Sequence, residues 1–482
     1  MKKLLSYLLI SVLLFSLLGT AGVAVLAEEK DMEADITLWT YPIGKWGDAE
    51  TVDGIIARFN DVYPNIKVSV EYLDYQSGDD QVTAAIEAGT TPDIIMEGPE
   101  RLVSNWGAKG QLLPLNDLWT EEALKDINGV SKSVAKACQW TDENYYEFPL
   151  CMVTHCMAIN KEVFEEADAL KYIDDETRTW STDDFLLALE ALKKADKVPE
   201  NLIVYCGGQG GDQGTRALVT NLYGAKFTDE DHTKYTIDSE EGKKALEKLV
   251  ELKDEGLITS DAGIVATDEL QLFANGTVAM TICWNASNQY QYADQVEFTP
   301  YPVAFPHPIN EEEEEVEESE KAEDKEAAEE SEDEKEDKED KKEDEEEAEE
   351  ELRVKPELCG GIWGFGIFDN KDENKVAAAK EFIKFVSSDP EQGPESVKAT
   401  GFFPVRKSFG NVYEGTEDEE RMEEFSIFMK YLGDYYNVAP NWSEQRTAWW
   451  NMLQQVFDGN DIDEALKTYN EAVKAEKPEK DK

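Results

Sequence analysis

The chain has 482 residues, enough for two or more domains with large cores. Its 105 Asp and Glu residues against 47 Lys and Arg give a formal charge of −58. That balance excludes a nucleic-acid binder working through a basic surface, and it offers no attraction to anionic lipid.

Lys2 and Lys3 precede an uncharged, largely apolar run over residues 4–26, and Val25-Leu26-Ala27 fits a small-residue cleavage site before Glu28. The spacing predicts an export signal over residues 1–27. An uncleaved membrane anchor is the alternative, because the run is long enough to cross a bilayer of ~30 Å. No cysteine adjoins the junction, so no lipid anchor on a cleaved cysteine is expected. The six cysteines (Cys138, Cys151, Cys156, Cys206, Cys283 and Cys359) permit disulfides in an exported protein, with buried free thiols as the alternative.

Beyond the signal, Ile36-Thr37-Leu38-Trp39-Thr40-Tyr41 alternates as a strand, and Val52, Ile55, Ile56 and Phe59 mark one helix face ending before Pro64. Ile66, Val68, Val70 and Tyr72 alternate again, a helix is predicted over 81–87, and Pro92-Asp93-Ile94-Ile95-Met96 reads as a short buried strand. Strand and helix in alternation predict an α/β fold with a parallel, helix-covered sheet. Further helices are predicted at 181–195, with Phe185, Leu189 and Leu192 on one face, and at 242–255.

Residues 311–351 hold 28 acidic residues against 6 lysines, with no Pro, Gly or aromatic residue. Net repulsion and the lack of an apolar stripe predict a disordered, solvated loop insertion, tolerated because closure entropy grows slowly with length. The run 359–368 (Cys359-Gly360-Gly361-Ile362-Trp363-Gly364-Phe365-Gly366-Ile367-Phe368) reads as a buried strand whose glycines admit another backbone or a ligand. A helix with Val376, Ala379, Phe382, Ile383 and Val386 on one face follows, then Gly401-Phe402-Phe403-Pro404-Val405-Arg406-Lys407-Ser408. After Ser408 the chain reads as helical, with Trp449, Met452, Leu453 and Val456 on one stripe.

No motif calls for catalysis, a cofactor or a metal. His155, His232 and His307 are the only histidines, and Cys151, His155 and Cys156 fall on opposite faces of a strand, which is poor zinc geometry. No nucleophile elbow, phosphate loop or dinucleotide fingerprint is present. Eleven tryptophans, several at strand ends, suit stacking on sugar rings, although core packing is an equal use for any one of them.

The glycine-rich strand, the long helix and the "GFFPVRKS" turn, in that order, resemble the C-terminal signature of carbohydrate-binding solute-binding proteins of ABC importers. The resemblance, which is to the maltose-binding-protein-like group, covers nearly all of residues 36–473 except the acidic insert. It implies a two-lobe periplasmic-binding-protein-like fold of type II whose hinge the chain crosses several times. It places a first lobe at 28–143 and 283–386, a second lobe at 144–282, and a C-terminal helical part at 387–482, mainly in the second lobe. The function implied is capture of a sugar or oligosaccharide between lobes and delivery to permease subunits, by an extracellular, surface-associated monomer (periplasmic where an outer membrane exists). A solute-sensing protein and a secreted carbohydrate-active enzyme are the alternatives.

Ligand contacts are carried over by position. Trp39 and Tyr41 fall at the cleft edge, Glu100 and Arg101 match an acidic residue and an arginine, and Glu97 takes the place of a cleft tryptophan. Trp284 and Asn285 follow "GTVAM", Trp363 lies in the glycine-rich strand, and Trp449 falls where relatives stack a sugar ring. Val153 stands where relatives often carry an acid, and the neighbouring His155 is the substitute, with a core histidine as the alternative.

Overall fold

The computed structural model describes residues 32–75, 77–141, 144–195, 199, 201–206, 212–230, 232–261, 263–264, 266–310, 353–433 and 438–474. The predicted export signal and the acidic tract lie outside them. The strands of the two larger sheets are β1 (Ala34–Thr40), β2 (Ile66–Tyr72), β3 (Ile94–Glu97), β4 (Phe148–Thr154), β5 (Cys156–Asn160), β6 (Asn201–Cys206), β7 (Ile258–Asp261), β8 (Val278–Trp284), β9 (Pro300–Val303), β10 (Gly360–Ile367) and β11 (Phe403–Pro404). Helices α1 (Ala49–Val62), α2 (Gly78–Ala88), α3 (Thr182–Lys194), α4 (Asp212–Tyr223), α5 (Glu240–Asp254), α6 (Ala266–Ala274), α7 (Ala286–Gln291), α8 (Glu373–Ser388), α9 (Trp442–Phe457) and α10 (Ile462–Ala472) run between them.

The chain forms two compact units. The first holds the chain to Val153, Gly361–Ser426 and Tyr435–Ser443; the second holds Thr154–Gly360, Ile427–Asp434 and Glu444–Lys482.

The first unit is built on a sheet of order β11-β4-β10-β3-β1-β2. β1 runs parallel to β2 and β3, as the alternation with helices requires, and β10 runs antiparallel to β3. Val52, Ile55, Ile56 and Phe59 of α1 are all buried, and Phe59 meets Phe382 of α8 edge to face at 5.2 Å. Each such buried side chain contributes ~2 kcal/mol of transfer free energy. The glycines of β10 have the use expected of them. A Cβ on Gly364 would lie 2.4 Å from the Phe148 carbonyl oxygen, so only hydrogen fits where β4 passes.

The second unit is built on a sheet of order β9-β5-β8-β6-β7. β8 lies in its interior, antiparallel to β5 and parallel to β6. Phe185, Leu189 and Leu192 of α3, and Trp449, Met452, Leu453 and Val456 of α9, are buried as their spacing predicts.

The expected lobe boundaries need correction. Residues 283–360 belong to the second unit, because Trp284 ends a strand whose neighbours are β5 and β6, and β9 then pairs with β5. Entry to the second unit comes after Val153 and not at 144, because β4 pairs with β11 in the first sheet. Residues 387–426, expected mainly in the second lobe, belong to the first unit.

The ends of the acidic insertion are tied together. Ile309 and Val354 form an antiparallel bridge, and the Asn310 N–H donates to the Arg353 carbonyl at 2.8 Å. Five cysteines, Cys138, Cys151, Cys156, Cys283 and Cys359, are free thiols.

Candidate functional site

In the first unit the carboxyl ends of parallel β1 and β3 emerge together, beside the start of antiparallel β10, where Gly364 pairs with Glu97. Such strand ends are where open α/β sheets gather ligands. The chain leaves β3 through Glu97-Gly98-Pro99-Glu100-Arg101, and Arg101 becomes the hub of a charged network. Its guanidinium grips Asp79 in two bonds, Nε to Oδ1 at 2.7 Å and Nη2 to Oδ2 at 3.1 Å. Nη1 lies 3.4 Å from Glu97 Oε1 and 3.6 Å from Glu100 Oε1. The planar group sits 5.3 Å from the Tyr41 ring and 5.8 Å from the Tyr75 ring, which stack on each other at 5.2 Å. Tyr41 Oη donates to Asp79 Oδ1 at 2.7 Å. The bidentate fit and the flanking rings make this a site for Arg and not Lys.

One guanidinium faces three carboxyls, so the network carries excess negative charge. Burial pushes the Glu97 carboxyl up to about 7 against the pull of Arg101, and Glu100 adds to the rise. Glu147 is wholly buried, and neither of its oxygens has a hydrogen-bond partner among the described residues. Burial, reinforced by Glu100 and Glu97, raises its carboxyl well above the ordinary range. Tyr75 of this network is half exposed, and elsewhere in the unit Trp39 of β1 and Trp363 of β10 are partly exposed. Trp363 stacks on Phe402 with centroids 4.8 Å apart and planes 15° from parallel.

In the second unit β8 carries one residue more than β5 between Thr281 and Trp284, a β-bulge. The pairing of Trp284 with Cys156 sets Asn285 opposite His155, and Asn285 Nδ2 lies 3.3 Å from His155 Nδ1. Cys283 Sγ lies 3.7 Å from the same nitrogen. Trp284 and Trp449 are both fully buried. Trp284 donates to Gln289 Oε1 at 3.0 Å and meets Phe273 edge to face. Trp449 donates to Thr215 Oγ1 at 3.0 Å and meets Phe227 and Tyr469 edge to face.

The structure therefore brings Tyr41, Glu97, Glu100 and Arg101 together in the first unit, with Trp39 and Trp363 on partly exposed positions. It brings His155 and Asn285 together in the second. Trp284 and Trp449 sit in the packed interior. Sequence reasoning did not single out Asp79, Tyr75, Glu147 or Cys283. Asp79 stands in an acidic first turn of α2, which signals a helix start and says nothing of a partner 22 residues away.

Residues 45–393 match the bacterial extracellular solute-binding proteins, and the chain belongs to this family. A curated relative, an ABC transporter extracellular-binding protein of Pyrococcus horikoshii, is 24% identical over 210 residues, 41% of this chain and 45% of the relative. The chain thus spans about half the length of that relative. Among solved structures, an ABC substrate-binding protein from Listeria monocytogenes in complex with cycloalternan has a TM-score of 0.64 and 17% identity, covering 92% of this chain and 98% of the other. An ABC transporter solute-binding protein from Thermotoga lettingae bound with α-D-tagatose has a TM-score of 0.65 and 16% identity over 92% and 99%. The cyclic α-maltosyl-1,6-maltose binding protein from Arthrobacter globiformis has a TM-score of 0.63 and 19% identity over 92% and 98%. The fold is thus the mixed α/β, two-lobe architecture of these proteins. Among the described residues no helix is long and apolar enough to cross a membrane.

Proposed function

We propose that this protein captures a sugar or oligosaccharide outside the cell and hands it to the permease subunits of an ABC importer, as a monomer and without covalent chemistry. The observation that carries the reading is the cluster of Tyr41, Glu97, Glu100 and Arg101 at the β1 and β3 ends, in a unit whose strands β1 and β10 also hold the partly exposed Trp39 and Trp363. Sugar rings offer apolar faces to indoles and hydroxyl donors to carboxylates, and this unit supplies both partners. The polar His155 and Asn285 of the second unit supply a donor and acceptor set of the same kind. The sugar complexes of the structural relatives support the ligand class, and membership of the solute-binding family supports binding in place of turnover.

The test is calorimetric titration of the protein with a panel of mono- and oligosaccharides, alongside an assay for release of reducing sugar. A single ligand class bound with no sugar released is the expected result, and Trp363→Ala should weaken it by about tenfold or more. Turnover of a glycan would sink the reading, as would indifference to every sugar.

A further inference from the structure

Asp79 reaches Arg101 from a helix of its own. It stands in the first turn of α2 with its side chain 53% exposed, whereas that of Arg101 is only 10% exposed. Its two oxygens take the Nε–H and one Nη2–H of the guanidinium, a side-on grip that fixes the plane of the group. Buried Tyr41 steadies the carboxylate in turn, since its Oη donates to the same oxygen that accepts from Nε. On the other side Glu97 takes an N–H of Nη1 at 3.4 Å. Of the five N–H groups of Arg101, one on Nη1 and one on Nη2 then make no hydrogen bond among the described residues.

The same grip sets the charge. Asp79 offsets the positive charge of Arg101 before any ligand arrives, and Glu97 and Glu100 lie 3.4 and 3.6 Å from Nη1. A hydroxyl oxygen can accept from such N–H groups without opposing this charge. A carboxylate or phosphate would meet the repulsion of three carboxyls around a cation that they have already balanced. We propose that Asp79 is a positioning residue that fixes the plane of Arg101, and that its charge makes the first unit selective for uncharged sugars over uronic acids and sugar phosphates. The statement about the ligand rests on the sugar-binding reading above; the statement about the plane of Arg101 does not.

The test uses the full chain labelled with 15N at its arginines, near neutral pH. Arg101 is assigned by the loss of its signals in Arg101→Lys. With Nε and Nη2 both held, rotation about the Cζ–Nε bond is slow, so Nη1 and Nη2 should give separate signals in the wild type. Asp79→Asn puts an NH2 where one oxygen was, breaks one of the two bonds, and should merge them. The sugars of the panel, D-glucose, D-galactose, D-mannose and maltose among them, are then titrated, each beside the uronic acid obtained by oxidising a primary alcohol. The wild type should prefer the neutral member of the pair it binds by about a hundredfold, and Asp79→Asn should narrow that preference by about tenfold. Exposed Asp80, changed to Asn, loses the same charge one residue along; Asp80→Asn should leave the signals separate and the preference within about twofold. Merged signals in the wild type, or separate ones in Asp79→Asn, overturn the positioning role. A wild type that prefers the uronic acid, a preference that Asp79→Asn leaves unchanged, or one that Asp80→Asn narrows as much, overturns the selectivity. The expected signals in a protein that binds no sugar and no uronic acid would uphold the positioning role and remove the functional reading instead.

Discussion

Trp449 shows how one side chain can suit two readings in sequence and only one geometry in the fold. Its position on the stripe with Met452, Leu453 and Val456 marks a core residue as readily as a sugar platform, and the stripe alone does not separate them. In the structure its indole is fully covered, its N–H is satisfied by Thr215 Oγ1, and aromatic edges close on it from Phe227 and Tyr469. Trp449→Ala should therefore cost about 3–5 kcal/mol, the range for removing a buried aromatic and leaving a cavity. Urea unfolding followed at 222 nm measures this. Loss of sugar affinity without loss of stability would instead place the indole on the ligand. Arg101 makes the complementary point. It was expected as a ligand contact from the resemblance, but Asp79, which takes two of its donors, comes from a different helix and leaves no trace in the local sequence.

At the scale of elements, the regular ones were legible because their periods are written in the chain. The helix faces of α1 and α3 and the glycines of β10 needed only local spacing to be read. The sheet to which β8 belongs was not legible, since an apolar run such as Val278–Trp284 pairs equally well in either sheet until its neighbours are known. Nor was its bulge, which depends on the buried Glu269 accepting the Ile282 N–H. Burial pushes the Glu269 carboxyl up to about 8, against hydrogen bonds from Thr281 and Ile282 that pull it down.

The folded state therefore keeps a proton that the unfolded chain releases near the ordinary Glu value of ~4.5. This contribution to stability is fully present below that value and erodes as pH rises toward about 8, by at most ~1.4 kcal/mol per pH unit. Glu97, pushed up to about 7, adds to the same trend over a narrower window. Glu269→Gln keeps the acceptor and should flatten the pH dependence. Glu269→Leu strands the Ile282 N–H and should cost ~1–3 kcal/mol at pH 5. Denaturant titrations of the three proteins at pH 5 and pH 8.5 check both expectations, and an equal slope in wild type and Glu269→Gln would refute the assignment.

For the molecule as a whole, the acidic tract was legible as an insertion from composition alone. Its docking point required the structure. Asn310 and Arg353 already share a hydrogen bond, so the tract closes on itself and spans no distance. Replacing residues 311–352 by Asn-Gly, a two-residue hairpin turn, should leave the melting temperature within a few degrees and sugar affinity unchanged. Thermal unfolding and titration of the shortened protein decide it. A large loss of either would mean that the tract supports the fold or the ligand.

Each unit is also assembled from segments far apart in the chain. The first needs residues after 361 to complete the sheet that β1 opens, and the second needs α9 and α10 from beyond Glu444. A polypeptide emerging from its amino end thus exposes unfinished cores until nearly all of it has appeared. Neither unit has all of its segments until synthesis has reached Ser443. Nascent-chain order, which usually lets an early domain fold first, gives this protein no head start. Its strand edges remain open to mispairing for most of synthesis, and a charge of −58 is one means of keeping such chains apart.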